Sequence, residues 1–369
     1  MADTAIASGT VAGPAPGLIW RARYWLLLIA LPVLLIAGSK AGLVSDFQFL
    51  QLSLMIVYAI AVLGLNLLTG FNGQISLGHG AFFAVGAYTA AILMDQASWP
   101  FWATLPAAAV VCFIVGYLFG LPALRLEGHY LALATFALAV ATPQILKYKH
   151  IEPLTAGVMG ISVSKPEAPF GLPLSTDAWM FLVVLAIAAL MFWIARNLLD
   201  SRTGRALVAI RDHSMAASTM GVNVAHYKAT VFGISALYTG LAGALHGVIF
   251  EFVSPDSFRF ELSIAILVGA VVGGIASLPG AVLGGVFVQV IEKYADAVTK
   301  AITGTVHLPL ELEPWLIYGI ALIVLMYVMP TGIAGGLAAL WRRIGRRRGA
   351  TTATEPRRPT AGHEKEEMR

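Results

Sequence analysis

The chain is poor in charge. Only 12% of its 369 residues are Asp, Glu, Lys or Arg, against about 25% in an average soluble domain. What charge there is gathers at one end. Residues 342–369 hold nine Lys/Arg and four Asp/Glu, a net of +5, so the preceding 341 residues sum to −1 against a total of +4. The isoelectric point near 9.2 is therefore a property of the tail and gives no ground for nucleic-acid binding. Cys112 is the single cysteine, which excludes an intrachain disulfide. Alone in an apolar run, it reads as a small buried hydrophobe.

Chemistry-bearing motifs are missing too. There is no GxxxxGKS/T phosphate loop, and no HExxH or CxxC pattern to hold a metal. His79, His129, His150, His213, His226, His246, His307 and His363 are scattered without metal-ligand spacing and read as ordinary hydrogen-bonded histidines. No GxSxG occurs, and no Ser-Lys or Asp-Asp pair lies inside an apolar run. Those runs hold almost no ionisable groups, which proton- and ion-coupled carriers need. An enzyme and an ion-driven carrier are both disfavoured, no metal or cofactor is expected, and the energy for any transport has to come from elsewhere.

What is present is long apolar sequence. The chain is 58% hydrophobic, with a mean hydropathy of +0.79. A membrane-crossing helix needs about 20 mostly apolar residues. Segments near 24–39, 47–69, 78–94, 101–121, 129–146, 178–196, 229–250, 262–278, 281–299 and 315–337 qualify. The expected fold is all-α and polytopic, with about ten transmembrane helices (range 8–11). The 37 glycines lie mostly inside these segments. The pairs Gly116/Gly120, Gly243/Gly247, Gly269/Gly273 and Gly280/Gly284 have the small-xxx-small spacing that lets helices approach closely in lipid, so a tightly packed bundle is expected.

Positive charge orients the chain. With Arg21 and Arg23 inside, ten crossings put Arg125, the loop of Arg202, Arg205 and Arg211, and the arginine-rich tail on the same cytoplasmic side. Most of the acidic residues between spans then face out. Residues 1–19 are Ala/Gly/Pro-rich without a basic n-region, so they do not read as a secretory signal. The organisation expected is a disordered cytoplasmic N-terminus over 1–19, a transmembrane domain over 20–340 and a basic disordered cytoplasmic tail over 341–369. Within the domain lie an outer loop at 148–177 and a cytoplasmic loop at 199–228.

Two stretches break the pattern. In "GFNGQISLGHGAFF" (70–83), Asn72, Gln74, Ser76 and His79 stand among glycines. Gly70, Gly73, Gly78, Gly80 and Gly86 rule against one continuous helix. Non-helical backbone at membrane depth is tolerated only where protein or a water-filled cavity satisfies it, and broken helices point to transport sites. A turn with polar caps is the alternative reading, and the composition favours neither. A similar break falls in "LVGAVVGGIASLPGAVLGG" (267–285), at Gly273, Gly274, Ser277, Pro279 and Gly280. The loop "DSRTGRALVAIRDHSMAASTMGVNVAHYK" (200–228) reads as a helix from Arg205 to Met220, stopped by Gly221, with a second short helix from about Asn223. It is too helical and too alanine-rich for a plain linker and reads as a docking element.

These pieces together resemble the permease subunits of branched-chain amino acid ABC importers, and more closely the LivM-type subunit. The resemblance is carried by "LTGFNGQISLGHGAFFAVGAYTAA" (68–91), "RLEGHYLALATFALA" (125–139), "LTAGVMGI" (154–161), "SRTGRALVAIRDHSMAASTMGVN" (201–223), "VVGGIASLPGAVLGG" (271–285) and "MPTGIAGG" (329–336). It implies a subunit of the bacterial inner membrane that pairs with a second homologous permease, two cytoplasmic ATP-binding subunits and a periplasmic binding protein. Arg205, Ala209, Arg211, Asp212 and Gly221 match the block that lays short coupling helices on the ATPase. Asn72, Gln74, Ser76, His79, Gly273 and Gly274 are the candidates for lining or flexing the pathway. The chain departs from the family at Ala156 and Ala276, where glycine is common. Related permeases carry urea, short amides or, more distantly, sugars. A mostly apolar pathway with few polar groups suits a branched-chain amino acid better than urea. A stand-alone carrier or channel is the rival class.

Overall fold

The computed structural model describes residues 45–126, 128–169 and 174–306, together with 319, 323, 327, 332–337 and 339. The expected first span, most of the last one and both expected disordered termini lie outside these residues. Each of the other eight expected spans is a helix. They are α1 (Asp46–Asn72), α2 (His79–Asp95), α3 (Phe101–Ala123), α4 (His129–Leu146), α5 (Thr176–Asp200), α7 (Val224–Phe250), α8 (Phe260–Gly273) and α9 (Leu278–Val306); α6 (Arg202–Thr219) occupies the polar loop between α5 and α7. Among the described residues α1, α3, α4, α5 and α7 are long and apolar enough to cross a membrane.

Helices α1 and α7 form the buried centre, whereas α3 and α4 lie at the rim with only about a third of their residues buried. Val110, Ile114 and Leu118 make an exposed apolar stripe on α3, and Leu133 and Val140 do so on α4. In a membrane protein such stripes face lipid, where an apolar surface costs nothing. Helix α7 packs on α1, α2 and α3, and α8 and α9 pack on each other and on α1.

The small-residue pairs are where helices meet. A Cβ on Gly116 would press on Ala236 of α7, and one on Gly120 on Phe232 and Ala229. On α7, Gly243 lies against the carbonyl of Phe83 in α2, while Gly86 of α2 lies against the carbonyl of Gly240. Gly269 and Gly273 of α8 lie against Gly284 and Gly280 of α9. Here the glycines exchange side-chain volume for backbone contact, which is the main attraction open to helices in lipid.

At one end of the bundle the long loop after α4 is tied down. Its strand β1 (Ile161–Ser162) pairs antiparallel with β2 (Phe252–Val253) after α7. The Gln96 side chain donates to the carbonyls of Pro153 and Leu154 at 3.0 and 3.1 Å. Lys147 Nζ lies 2.7 Å from Asp256 Oδ1. The hydrogen bonds from Lys147 and then Arg259 hold the Asp256 carboxyl below the usual carboxylate range.

At the other end, α6 lies along the bundle. Ser201 caps it by accepting from Thr203 N and Gly204 N, so the helix begins three residues before the Arg205 expected from the sequence. Its backbone kinks at His213, giving two short helices. Leu207, Ile210 and Ala217 are buried against the bundle, and Met215 and Met220 are exposed. Gly221 takes the left-handed conformation that stops the helix. The second short helix expected from Asn223 is instead the start of α7. Asn223 caps it by accepting from His226 N, and α7 then runs unbroken for 27 residues, because no glycine or proline interrupts the polar start before the apolar run.

Gly243→Val should lower the thermal midpoint of the detergent-solubilised protein, since an added side chain there has only the Phe83 backbone to push against. Overpacking of this kind costs about 1–3 kcal/mol. Tryptophan fluorescence on heating reads the midpoint, and Leu133→Ala on the lipid-facing rim should leave it nearly unchanged.

Candidate functional site

Both expected helix breaks exist, and both close on the last turns of α1. Helix α1 runs past Gly70 to Asn72, so within the 70–83 stretch the first break is only residues 73–78. Gly73 ends the helix in the left-handed region, at φ 75°, and its N–H donates to Thr69 O. The N–H of Gln74 reaches back to Leu68 O, and the Thr69 hydroxyl donates to Gln74 O at 2.9 Å. Asn72 Nδ2 donates to Gln74 Oε1 at 2.7 Å. The start of the break is thus satisfied by the last turn of α1.

Ser76 and His79 carry that network inward. His79 Nε2 lies 2.6 Å from Ser235 Oγ on α7, and the Ser235 hydroxyl donates to the carbonyl of Gly64 at 2.6 Å. A carbonyl only accepts, so the Ser235 proton is committed and His79 carries its own proton on Nε2. Its Nδ1 then accepts from the Ser76 hydroxyl at 3.0 Å, while Ser76 Oγ accepts from Gly78 N. Both residues are buried, and together they lock α1, the break and α7. Thr135 of α4 and Ser263 of α8 complete the frame by accepting from Leu77 N and Gly80 N, both at 2.9 Å.

The second break, residues 274–277, follows α8. Gly273 is the last residue of that helix and Gly274 the first outside it, at φ 120°. The side chain that satisfies this break is Asn66 of α1, which is 1% exposed. Its Oδ1 accepts from Ala276 N at 2.7 Å, and its Nδ2 donates to Ser277 O at 3.0 Å and Gly274 O at 3.4 Å. Gly70, one turn on, lets the Ala276 backbone rest directly on α1, where a Cβ would come within 2.9 Å of Ala276 Cα. Ala276 itself has φ 60° and Ala156 has φ 54°. These are the two positions where the resembled family commonly has glycine, and both are left-handed.

The coupling candidates separate into two groups. Arg205, Ala209 and Asp212 of α6, and Gly221 just past its end, are exposed, and Arg205 Nη1 donates to Asp200 O. Arg211 is exposed too, but its guanidinium reaches back to α1. Its Nη1 donates to the carbonyl of Gly70 at 3.1 Å, and Asp212 accepts from its Nε and Nη2 at 2.9 Å. The residue that connects α6 to the break is therefore one expected to face a partner. Between the break and α6 lies a cavity of about 230 Å³, whose lining includes Asn72, Gln74, Ile75, Leu131, Arg211 and Lys228. Asn72 and Gln74 face this cavity, whereas Ser76, His79, Gly273 and Gly274 do not line it. Among the described residues no group of His, Cys, Asp and Glu is placed to hold a metal.

Sequence reasoning missed Asn66, Thr135, Ser235 and Ser263. Each is a single polar residue inside an apolar run, and that isolation is the available signal, because a polar side chain in a membrane helix needs a partner.

A family model described as the permease component of the branched-chain amino acid transport system matches residues 47–329. The high-affinity branched-chain amino acid transport system permease protein LivM of Escherichia coli K12 is 34% identical over 288 residues, covering 72% of this chain and 67% of that protein. The corresponding LivH of Salmonella typhimurium LT2 is 26% identical over 295 residues, covering 75% and 91%. A probable branched-chain amino acid transport permease protein LivM of Methanocaldococcus jannaschii is 24% identical over 231 residues, covering 61% and 66%.

Two substitutions at the second break should move stability in opposite directions. Asn66→Leu strands buried backbone groups, at about 1–3 kcal/mol for each one left unpaired, and should lower the thermal midpoint sharply. Ala276→Gly removes the left-handed cost of about 1–2 kcal/mol, against roughly 0.5–1 kcal/mol of extra chain entropy, and should raise it modestly. Melting curves of the two variants beside the parent read both signs.

Proposed function

We propose that this chain, which belongs to the family of branched-chain amino acid transport permease components, forms half of the translocation pathway of an ATP-driven importer for branched-chain or similar small apolar amino acids. It is a membrane transport subunit and not an enzyme. Its partners are a second homologous permease, two cytoplasmic ATP-binding subunits and a periplasmic binding protein. The absence of a phosphate-loop motif supports an external ATPase. Relatives of both the LivM and the LivH kind within Escherichia coli K12 support pairing with a second permease. The distribution of Lys and Arg supports a bacterial cytoplasmic membrane with both termini on the cytoplasmic side.

One observation carries the mechanism: Arg211 of α6 grips the Gly70 carbonyl at the end of α1. The exposed residues Arg205, Ala209 and Asp212 of α6, with Gly221 just past its end, are the surface offered to the ATPase. A displacement of α6 then pulls on the last turn of α1 and on the 73–78 break. Asn72 and Gln74 are the polar groups of the break nearest the path. Ser76 and His79 hold its frame, and Gly273 and Gly274 give the second hinge. The pathway is passive and alternates access through these two breaks.

Reconstitution tests this. Vesicles with all partner subunits should take up leucine only with ATP and the binding protein, and vesicles holding this chain alone should take up none. Uptake by the lone chain would make it a carrier in its own right. Arg211→Glu should insert normally but lose transport-linked ATP hydrolysis about tenfold or more, because a charge-assisted hydrogen bond of about 1.5–3 kcal/mol becomes a repulsion. Normal coupling in that variant would remove Arg211 from the role.

A further inference from the structure

We infer that the cavity between the 73–78 break and α6 is a product-sensing site, binding the zwitterion of a branched-chain α-amino acid from the side of the membrane on which α6 lies. The inference rests on the transport reading above for the identity of the cargo and adds regulation to it.

Three features of the lining point to that ligand. The first is positive charge. Lys228, at the start of α7, is half-buried and has no ion-pair partner among the described residues. Arg211 uses one N–H on each of its three nitrogens, which leaves two of its five donors for an anion. The second is an unfilled acceptor. Asn72 is 2% exposed, its Nδ2 is engaged by Gln74, and its buried Oδ1 receives no hydrogen bond. Buried acceptors without a donor are rare and call for an explanation. The third is an apolar wall made of Ile75, Leu131 and Ile210.

Carboxylate, ammonium and branched side chain match these three features in turn. The carboxylate neutralises Lys228 and the free donors of Arg211. The ammonium reaches Asn72 Oδ1, which is buried, once the Asn72–Gln74 pair swings toward the cavity. The aliphatic side chain lies on the apolar wall. A fatty-acid carboxylate satisfies the cations but brings Asn72 no donor, and inorganic phosphate brings nothing for the apolar wall. The volume of about 230 Å³ falls below the roughly 300–1,000 Å³ of sites for drug-sized molecules and suits a small metabolite.

The lining also explains the consequence of binding. Asn72 comes from α1, Arg211 from α6 and Lys228 from α7. A ligand bridging them ties the coupling element to the break it moves. Amino acid accumulating on that side then holds one state of the importer and slows further uptake, and by linkage the state it prefers binds it more tightly.

The test uses the importer assembled with its permease and ATPase partners in nanodiscs, without the binding protein. Radiolabelled L-leucine should bind, and leucinol and 4-methylpentanoate, which lack the carboxylate and the ammonium respectively, should compete at least about tenfold more weakly. Lys228→Gln should weaken leucine binding by about tenfold, and Lys228→Arg should restore it. In proteoliposomes, leucine on the ATPase side should slow ATP-driven uptake by the parent, and the ratio of uptake with and without it should approach one in Lys228→Gln. The inference is overturned by absence of leucine binding, by equal competition from both analogues, by unchanged binding in Lys228→Gln, or by a phospholipid that leucine does not displace and that Lys228→Gln releases. ATP-driven leucine uptake without this binding removes the sensing site alone. An assembled importer that takes up no leucine removes the transport reading.

Discussion

One side-chain amide holds the second break in place. Asn66 lies in an apolar helix, and its oxygen and nitrogen reach three backbone groups of residues 274–277. Backbone that leaves a helix inside an apolar bundle has no water to turn to, so its N–H and C=O groups must find partners within the protein. Asn66 meets that requirement with groups a helix can carry without interrupting its own hydrogen bonds. Because it does so from α1, the loop between α8 and α9 is fixed against α1. Gly70 is then required one turn further on, where the Ala276 backbone takes the space of a side chain. The two hinges consequently share one helix end.

The first break uses a different solution. Thr69 of α1, Ser76 and Thr135 of α4 satisfy its backbone, Asn72 and Gln74 pair with each other, and His79 ties it to α7 through Ser235. This divides the polar set of 72–79 by task. Every polar atom on the Ser76 and His79 side chains has a partner within the fold, so moving them costs hydrogen bonds that nothing nearby replaces. Asn72 and Gln74 border the cavity, and Asn72 keeps one acceptor free. A helix break can thus be rigid on its buried side and open on its cavity side.

Much of this was legible in the sequence. Long apolar runs punctuated by Gly and Pro gave the eight described spans, and alanine-rich polar sequence gave α6. The four small-residue pairs gave the close crossings, because a glycine face has no other use between helices in lipid. The boundaries moved for local reasons. Helix α1 continues through Gly70 because that glycine makes a packing contact and not a turn. Helix α6 begins early because Ser201 caps it. What could not be read was which distant residue completes each break. Asn66 and Ala276 are 210 residues apart, and no periodicity or spacing rule joins them. The glycines at 273 and 274 marked that the backbone leaves the helix, but not what receives it. Arg211 was legible as a polar residue of α6, and its reach back to α1 was not, since the side chain's direction depends on where Leu207 and Ile210 bury.

The position of Arg211 constrains how α6 and the break can move. Its guanidinium meets a carbonyl in the last turn of α1, where the unpaired C=O groups and the negative end of the helix dipole favour a cation. Asp212 holds the same guanidinium from the other side, which fixes its direction while leaving the pair partly exposed. A link of this kind is strong enough to transmit a displacement and weak enough to break, since it lies at the water-facing end of the bundle and not in its apolar interior. If α6 shifts with the link intact, the last turn of α1 must follow. That turn carries Gly70, and Gly70 lies against Ala276, so the second break moves as well. If the link breaks instead, the Gly70 carbonyl loses its cation while the first break keeps its own hydrogen bonds. Coupling therefore requires that the Arg211–Gly70 bond outlast the motion, and the two breaks then respond as one unit to a force applied at α6.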